Sequence, residues 1–376
     1  MRFSLTEEQE ELRRVVRRFL ETTSPTGEAR RLMDTSEGYE PAVWKQLSQE
    51  LALPGVQIPE AYGGQGFGFV ELGVVLEEMG RALLCAPYFS SAVMAANAIL
   101  NAGSESQKGA LLPGIAAGET LATFALAEPS GRWDASGVEL EARRSGTTWT
   151  LHGEKSFVLD GCAADLIVVV ARARGSEGES GLSFFTLRAN ADDFTRRPLD
   201  VIDPTRKLAR LTFNGARAEL LGEAGEGGPA LAKTLDQASA ALASEMVGGA
   251  QRLLEMTVDY AKTRVQFGRP IGSFQAIKHK CADMLLELEL ARSSAGYAAE
   301  AADSAEEELP AVASLAKAQG SDAFLHIAAE SIQIHGGLGF TWEQDVHLFF
   351  KRAKSSEGLL GDPTFHRERL ARHWEL

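Results

Sequence analysis

The run Arg264-Val265-Gln266-Phe267-Gly268-Arg269-Pro270-Ile271-Gly272-Ser273-Phe274-Gln275 sets a cation, two amides and two aromatic rings around a Gly/Pro turn. That set can hold a flat, anionic ligand. The Arg264 guanidinium suits a pyrophosphate through paired charge-assisted hydrogen bonds, Phe267 and Phe274 offer ring faces, and the Gln266 and Gln275 amides can hydrogen-bond. The same run also reads as a helix-turn-helix corner closed by Gly268 and Pro270. About sixty residues further on comes Ser331-Ile332-Gln333-Ile334-His335-Gly336-Gly337-Leu338-Gly339-Phe340. Here Gln333 precedes a bare Gly336-Gly337 backbone that a ligand could approach more closely than any Cβ would allow. Gly336 fits a helix C-cap equally well, and the two readings are compatible.

These residues need elements to position them, and the chain is long enough to supply several. With 376 residues, 44% apolar and 24% charged, it has the composition of an ordinary globular protein of two or three domains. A formal net charge of −14 argues against nucleic-acid binding as a main task. Cys85, Cys162 and Cys281 are scattered, with no CxxC pair and no His cluster, so neither a disulfide framework nor a metal site is indicated and a reducing cytoplasm fits best. The amino terminus lacks the basic-then-apolar layout of a signal peptide. The most apolar stretch, residues 82–100, is interrupted by Pro87, Ser90, Ser91 and Asn97 and reads as buried helix, not a membrane span. His279, His326 and His347 lie without metal spacing and read as packing or surface residues.

Residues 1–118 read as a helical domain. Thr6 with Gln9 forms a capping box, followed by Leu12, Val15, Val16, Phe19 and Leu20 at helical spacing. Further helices are expected over 41–51, 71–84, 90–102 and 106–117. The segment Gly63-Gly64-Gln65-Gly66-Phe67-Gly68 follows no strand, so it reads as an interhelical loop and not a phosphate cradle. Residues 119–222 turn to period two, with strands around 149–152, 166–170 and 182–187, which suits a small antiparallel, barrel-like β-domain. From 226 to 376 the helical period returns as a four-helix bundle, with long helices near 229–265, 274–304, 310–335 and 342–355 and a last helix near 365–374. A helix of 37 residues would span about 55 Å, a length typical of bundles that pack against copies or relatives.

On the two motifs first quoted, and on the order helices, strands, helical bundle, the chain resembles the acyl-CoA dehydrogenase family over essentially its whole length. The resemblance implies FAD as cofactor, an acyl-CoA thioester as substrate, α,β-desaturation as in fatty acid β-oxidation, and electron-transfer flavoprotein as acceptor. It further implies that Arg264, Gln266, Phe267, Phe274, Gln275, Gln333, Gly336 and Gly337 reach across a subunit interface to the adenosine diphosphate part of a neighbour's FAD. The segment Lys155-Ser156-Phe157-Val158-Leu159-Asp160-Gly161 resembles the strand lining one face of the flavin, with Phe157 offering the ring face.

Elsewhere the chain departs from the pattern. The family base is a Glu before Gly in the loop after the last long helix; an ungapped count from Lys351-Arg352-Ala353-Lys354 puts Leu360 there. In members that carry the base on the first helix of the bundle, the corresponding residue is Ala238, and neither side chain can take a proton. Glu357-Gly358 reproduces the Glu-Gly pair three residues early, and Glu357 is either a displaced base or a solvated loop carboxylate. Asp362 before Pro363 reads as an N-cap. Around the flavin, Ala125-Leu126-Ala127-Glu128-Pro129-Ser130-Gly131-Arg132-Trp133-Asp134 keeps the Glu-Pro and the terminal Asp of the family loop but carries Ala127 for a hydroxyl and bulky Arg132 and Trp133 for small residues, while Leu159 replaces a hydrogen-bonding Thr or Ser.

The features lent to a neighbour are intact and those used for a subunit's own chemistry are eroded. That pattern resembles companion subunits of heteromeric bacterial dehydrogenases acting on steroid side chains, as do Asp203-Pro204-Thr205-Arg206-Lys207-Leu208 and Gly361-Asp362-Pro363-Thr364-Phe365-His366. It implies a heterotetramer with a homologous catalytic subunit. A self-sufficient homotetramer using Glu357 and a non-redox scaffold remain alternatives.

Overall fold

The computed structural model describes residues 5–376. In chain order the helices are α1 (Glu7–Thr23), α2 (Thr26–Leu32), α3 (Pro41–Gln49), α4 (Phe69–Arg81), α5 (Ala96–Ala102) and α6 (Glu105–Ala116). Then follow strands β1 (Ala122–Ala125), β2 (Glu141–Ser145), β3 (Thr148–Leu159), β4 (Leu166–Ala173), β5 (Leu182–Arg188), β6 (Phe194–Pro198) and β7 (Leu208–Leu221). Helix α7 (Gly227–Thr263), the short strands β8 (Val265–Gln266) and β9 (Arg269–Pro270), and helices α8 (Gln275–Ser304), α9 (Leu309–His335), α10 (Val346–Gly358) and α11 (Pro363–His373) complete the chain. The helical, barrel and bundle order is that expected from the sequence, and the long helices lie within a few residues of the periodic segments. The chain packs as two units: residues 5–30, 69–84 and 239–376 form one, and residues 31–68 and 85–238 the other.

In the first unit, α1 starts at the expected capping box, with Thr6 Oγ1 accepting from Gln9 N and Gln9 Oε1 accepting from Thr6 N. Its buried edge is rotated from the apolar stripe. Val16 and Leu20 are buried, but Val15 is 39% exposed. The cause is charge pairing: Arg13 reaches Glu77, and Arg17 makes two bonds of 2.8 and 2.7 Å to the buried Glu78 of α4, so residues 13, 16, 17 and 20 become the packed face. Helices α4 and α7 then cross almost backbone to backbone. A Cβ on Gly80 would sit 2.0 Å from the Glu245 carbonyl oxygen and one on Gly248 1.8 Å from that of Glu77, so each helix gives up a side chain where the other passes. Helix α9 is the buried centre of the bundle, packing against α8, α10 and α11.

The second unit is built on a barrel. Strands β4, β2, β3, β7 and β5 pair in that order, and β5 pairs back with β4, closing the ring; β1 extends from β4 and β6 from β7. Most pairings are antiparallel as expected, but β4 runs parallel to both β1 and β2. Flanked on both edges and covered on both faces, β4 is buried from Leu166 to Ala171, which explains its unbroken apolar run. The expected α-helix over 90–102 begins instead as a buried π-helix, Phe89–Ala95, and becomes α-helical only at Ala96. Carbonyls displaced by the wider turn are taken by side chains: Gln57 Nε2 donates to Ala92 O at 2.6 Å and Asn97 Nδ2 to Val93 O at 2.8 Å. The 63–68 segment is the interhelical loop expected. A Cβ on Gly64 would lie 1.9 Å from Ile58 O, so that glycine serves the chain's own packing.

A buried ion pair ties the loop after β1 to the barrel. Lys155 is fully buried on β3, and its Nζ donates to Glu128 Oε1 at 2.7 Å and Leu126 O at 2.8 Å; Glu128 Oε1 also accepts from the backbone N–H of Glu139 and Leu140 at 2.9 Å each. Burial pushes the Lys155 ammonium down to about 8 against the pull of Glu128. Removing one partner strands the other charge. Lys155→Met is therefore expected to cost about 3–5 kcal/mol of stability, and adding Glu128→Gln should recover part of it. Urea unfolding of the two single variants and the double variant measures the coupling, and strictly additive losses would show there is none.

Candidate functional site

Two surface elements stand close together in the first unit. The last turn of α7 brings Tyr260 onto His335 at the end of α9, with ring centroids 4.2 Å apart and nearly parallel. From α7 the chain enters the β8–β9 hairpin, where Val265 pairs with Pro270 and Gln266 with Arg269. The expected corner is thus a two-residue hairpin. Its turn residues, Phe267 at φ 53° and Gly268 at φ 76°, both lie in the left-handed region that a type I′ turn requires. Glycine takes that conformation freely, whereas a bulky L-residue is strained by roughly 1–2 kcal/mol. Phe267 is nevertheless 91% exposed, its only ring neighbour being Phe274, edge-on at 6.1 Å. The Arg269 guanidinium lies 4.1 Å from the Phe274 ring centroid.

Arg264, Gln266 and Gln275 are all exposed, and among the described residues Arg264 has no carboxylate partner. Gln333 is exposed on the last turn of α9, and Gly336 caps that helix at φ 62° with its N–H donating to Ile332 and Gln333 carbonyls. A Cβ on Gly337 would meet no atom of this chain within 4 Å. The hairpin and the α9 end therefore present a guanidinium, amides, a ring and bare backbone outward. Within the chain the strain at Phe267 is set against a single edge-on contact with Phe274 among the described residues. This donor and ring set fits a dinucleotide tail.

In the second unit, β3 ends in a bulge between Lys155 and Val158, where its register with β7 shifts. Phe157 occupies the bulge at φ 58° with its ring 38% exposed, so a ring face is offered as expected. The neighbouring groups are short of polar function. Leu159 and Ala127 are buried, and the Ser156 hydroxyl is buried without a partner among the described residues. In the loop after β1, Arg132 points to solvent, its Cβ side packed where Gly137 has none, and Trp133 is half-buried. Asp134 caps the short turn at Ala135–Gly137 by accepting from Gly137 N at 3.2 Å, and Glu128 is the buried latch described above. The retained Glu-Pro and Asp of this loop are thus accounted for by structure. Likewise Asp203 is buried and accepts from Thr205 N and Oγ1.

The turn joining α10 to α11 holds Leu360, the residue that the ungapped count puts at the expected base position. Leu360 is 2% exposed and sits at φ 63°, and Gly361 follows at φ 103°. Lys317, fully buried on α9, donates from Nζ to Gly361 O at 2.8 Å, Glu357 O at 3.1 Å and Ser321 Oγ at 3.0 Å. His366 Nε2 lies 3.1 Å from Leu360 O. Burial, helped by repulsion from Lys317 and Arg369, pushes His366 down to about 3, so it is neutral and Nε2 carries the proton that donates. Glu357 stays within the last turn of α10, half-buried and paired with Lys354. Ala238 is fully buried, and Asp362 caps α11 by accepting from Phe365 N at 2.7 Å, as expected.

Lys317, His366, Lys155 and the buried Arg352–Glu245 pair at 2.9 Å were not singled out from the sequence. The available signal for Lys317 was its place between Ala316 and Ala318 in the apolar first half of its helix. Of the three histidines read as bystanders, His347 is buried, His279 is exposed and His326 is exposed beside Glu287. Among the described residues no group of His, Cys, Asp or Glu is placed to hold a metal ion, and no helix is long and apolar enough to cross a membrane.

Comparison with known proteins defines the class. Family models described as acyl-CoA dehydrogenase N-terminal, middle and C-terminal domains match residues 6–119, 123–215 and 225–374. An acyl-CoA dehydrogenase from Mycolicibacterium smegmatis, IpdE2, is 33% identical over 98% of both chains. Among solved structures, the Tcur3481-Tcur3483 steroid ACAD has a TM-score of 0.89 at 30% identity over 98% of both chains. The ChsE4-ChsE5 complex from Mycobacterium tuberculosis has a TM-score of 0.89 at 26% identity, covering 100% of this chain and 99% of that one. The chain belongs to the acyl-CoA dehydrogenase family, FAD-dependent oxidoreductases acting on CH–CH groups.

The α10–α11 turn has a pH signature. Because His366 stays neutral when folded and titrates near 6.5 when unfolded, the unfolded chain binds the extra proton between about pH 6.5 and pH 3, and stability falls as pH drops through that window. The contribution reaches about 1.4 kcal/mol per pH unit. Urea unfolding between about pH 6.5 and pH 4.5 should be less steeply pH-dependent for His366→Gln than for the parent.

Proposed function

We propose that this chain is the FAD-site-completing subunit of a heterotetrameric acyl-CoA dehydrogenase that desaturates a bulky, steroid-like acyl-CoA. The observation that carries the reading is Leu360: buried, held at φ 63°, and unable to accept a proton where the family resemblance puts the base. Against this loss stands the outward-facing set at the β8–β9 hairpin and the α9 end. In the assembly Arg264 would pair with the pyrophosphate of the partner's FAD, Phe267 and Phe274 would flank it, and Gln266, Gln275, Gln333 and the Gly336-Gly337 backbone would complete the grip. Bound FAD supplies the hydride-accepting ring that this chemistry needs. The ChsE4-ChsE5 relative is a complex, and the Tcur3481-Tcur3483 relative is named for steroids; both support the reading. Electron-transfer flavoprotein is the proposed electron acceptor. Three free cysteines accord with a reducing cytoplasm.

Two experiments test this. Expressed alone, the chain should bind little FAD and reduce no dye with acyl-CoA, whereas co-expression with a homologous partner should give about one FAD per pair of chains. In that complex Arg264→Ala should weaken FAD retention by about tenfold or more, and unchanged retention would count against the interface role. For the base, Glu357→Gln in the complex should leave turnover intact. Lost turnover with FAD retained would instead revive the self-sufficient reading with Glu357 as base.

A further inference from the structure

Most arginines of this acidic chain find a carboxylate: Arg17 pairs with Glu78, Arg30 with Asp345, Arg81 with Glu255 and Arg292 with Glu77. Among the described residues Arg144, Arg188 and Arg217 have no carboxylate partner, and all three are exposed and line one cleft of about 750 Å³. The cleft is the mouth of the β-barrel. It is bounded by the end of β2, the start of β3, the end of β5 and the C-terminal part of β7, elements that the pairings Arg144↔Trp149, Trp149↔Ala218 and Thr186↔Glu219 place side by side. Its floor is apolar. Trp149 rests against Phe185 of the core at 5.3 Å, with Leu187 and Leu220 beside it, and the Arg144 guanidinium lies 5.6 Å from the Trp149 ring centroid.

A barrel mouth of this size, apolar below with a few converging polar groups above, is a common form of small-molecule site. Glu219 is the single carboxylate in the lining, so the rim carries a surplus of positive charge on a chain of net charge −14. Unpaired guanidinium groups at such a rim favour an anionic head through charge-assisted, bidentate hydrogen bonds. Beside the Arg144 guanidinium that stands over Trp149, Leu187 and Leu220 offer apolar surface to an apolar body. We infer that the barrel mouth binds an amphipathic organic anion, an apolar body with an anionic head, at a site built wholly within the barrel unit. The inference does not depend on the companion-subunit reading.

Isothermal titration of the purified chain with decanoate tests it, with decanol and inorganic phosphate as probes of body and head alone. Decanoate should bind saturably, decanol and phosphate much more weakly. Arg188→Glu and Arg217→Glu should each weaken decanoate binding by about tenfold or more. Both side chains are exposed and without carboxylate partners, so the variants should keep the parent's thermal midpoint; should either not, the milder Arg188→Gln and Arg217→Gln carry the same expectation. Decanoate binding unmoved by these changes, or matched by decanol or by phosphate alone, overturns the site.

Discussion

A single buried ammonium decides what the α10–α11 turn can be. A lysine removed from water costs several kcal/mol unless its protons are satisfied, and Lys317 donates to two main-chain carbonyls of this turn and to Ser321. The charge therefore requires the turn to keep its path as much as the turn requires the charge. Within that path Leu360 takes a conformation that a branched aliphatic residue rarely adopts, and His366 closes on its carbonyl from the other side. Such strain persists only where the surroundings over-determine it. The turn where the family resemblance puts the base is thus kept under tension here with an apolar side chain at its apex. Moving Glu357 forward by three residues would unwind the last turn of α10 and pull its carbonyl off Lys317.

The second unit shows the same separation of scaffold from chemistry. The Lys155–Glu128 latch fixes the loop after β1 against β3, and the bulge beside it holds the Phe157 ring in the open. Shape is conserved by buried charge. Polar reach is limited there, since Ala127 and Leu159 present only hydrocarbon and the Ser156 hydroxyl is buried with no partner among the described residues.

The sequence made the periodic parts legible: the long bundle helices, the capping box at Thr6, the cap at Asp362 and the loop at 63–68. It misled wherever the deciding partner lay far along the chain. Val15 carries the right period but lost its place to Arg13 and Arg17, whose carboxylates are more than sixty residues away. The π-helix at Phe89–Ala95 depends on Gln57, and the parallel pairing of β4 on strands reached through long connections, neither of which alternation can show. Lys317 was not singled out because two of its three acceptors, the Glu357 and Gly361 carbonyls, lie forty or more residues on; only Ser321 is local. The turn at Gly268 and Pro270 was readable because turn chemistry is local.

Glycine carries two opposite meanings in this chain, and only the coordinates separate them. At Gly80 and Gly248 a Cβ would land inside the facing helix's backbone, so α4 and α7 can cross only because both residues are bare. At Gly337 a Cβ would touch nothing of this chain, and no left-handed backbone calls for glycine there either. Packing explains the first pair completely and leaves the last unexplained. A side chain at 337 would meet no resistance within this chain, and Phe267, edge-on to Phe274, leaves most of its ring in the open. Missing bulk at 337 and bulk held out at a conformational cost at 267 are the two features that the proposed grip on a partner's FAD would use.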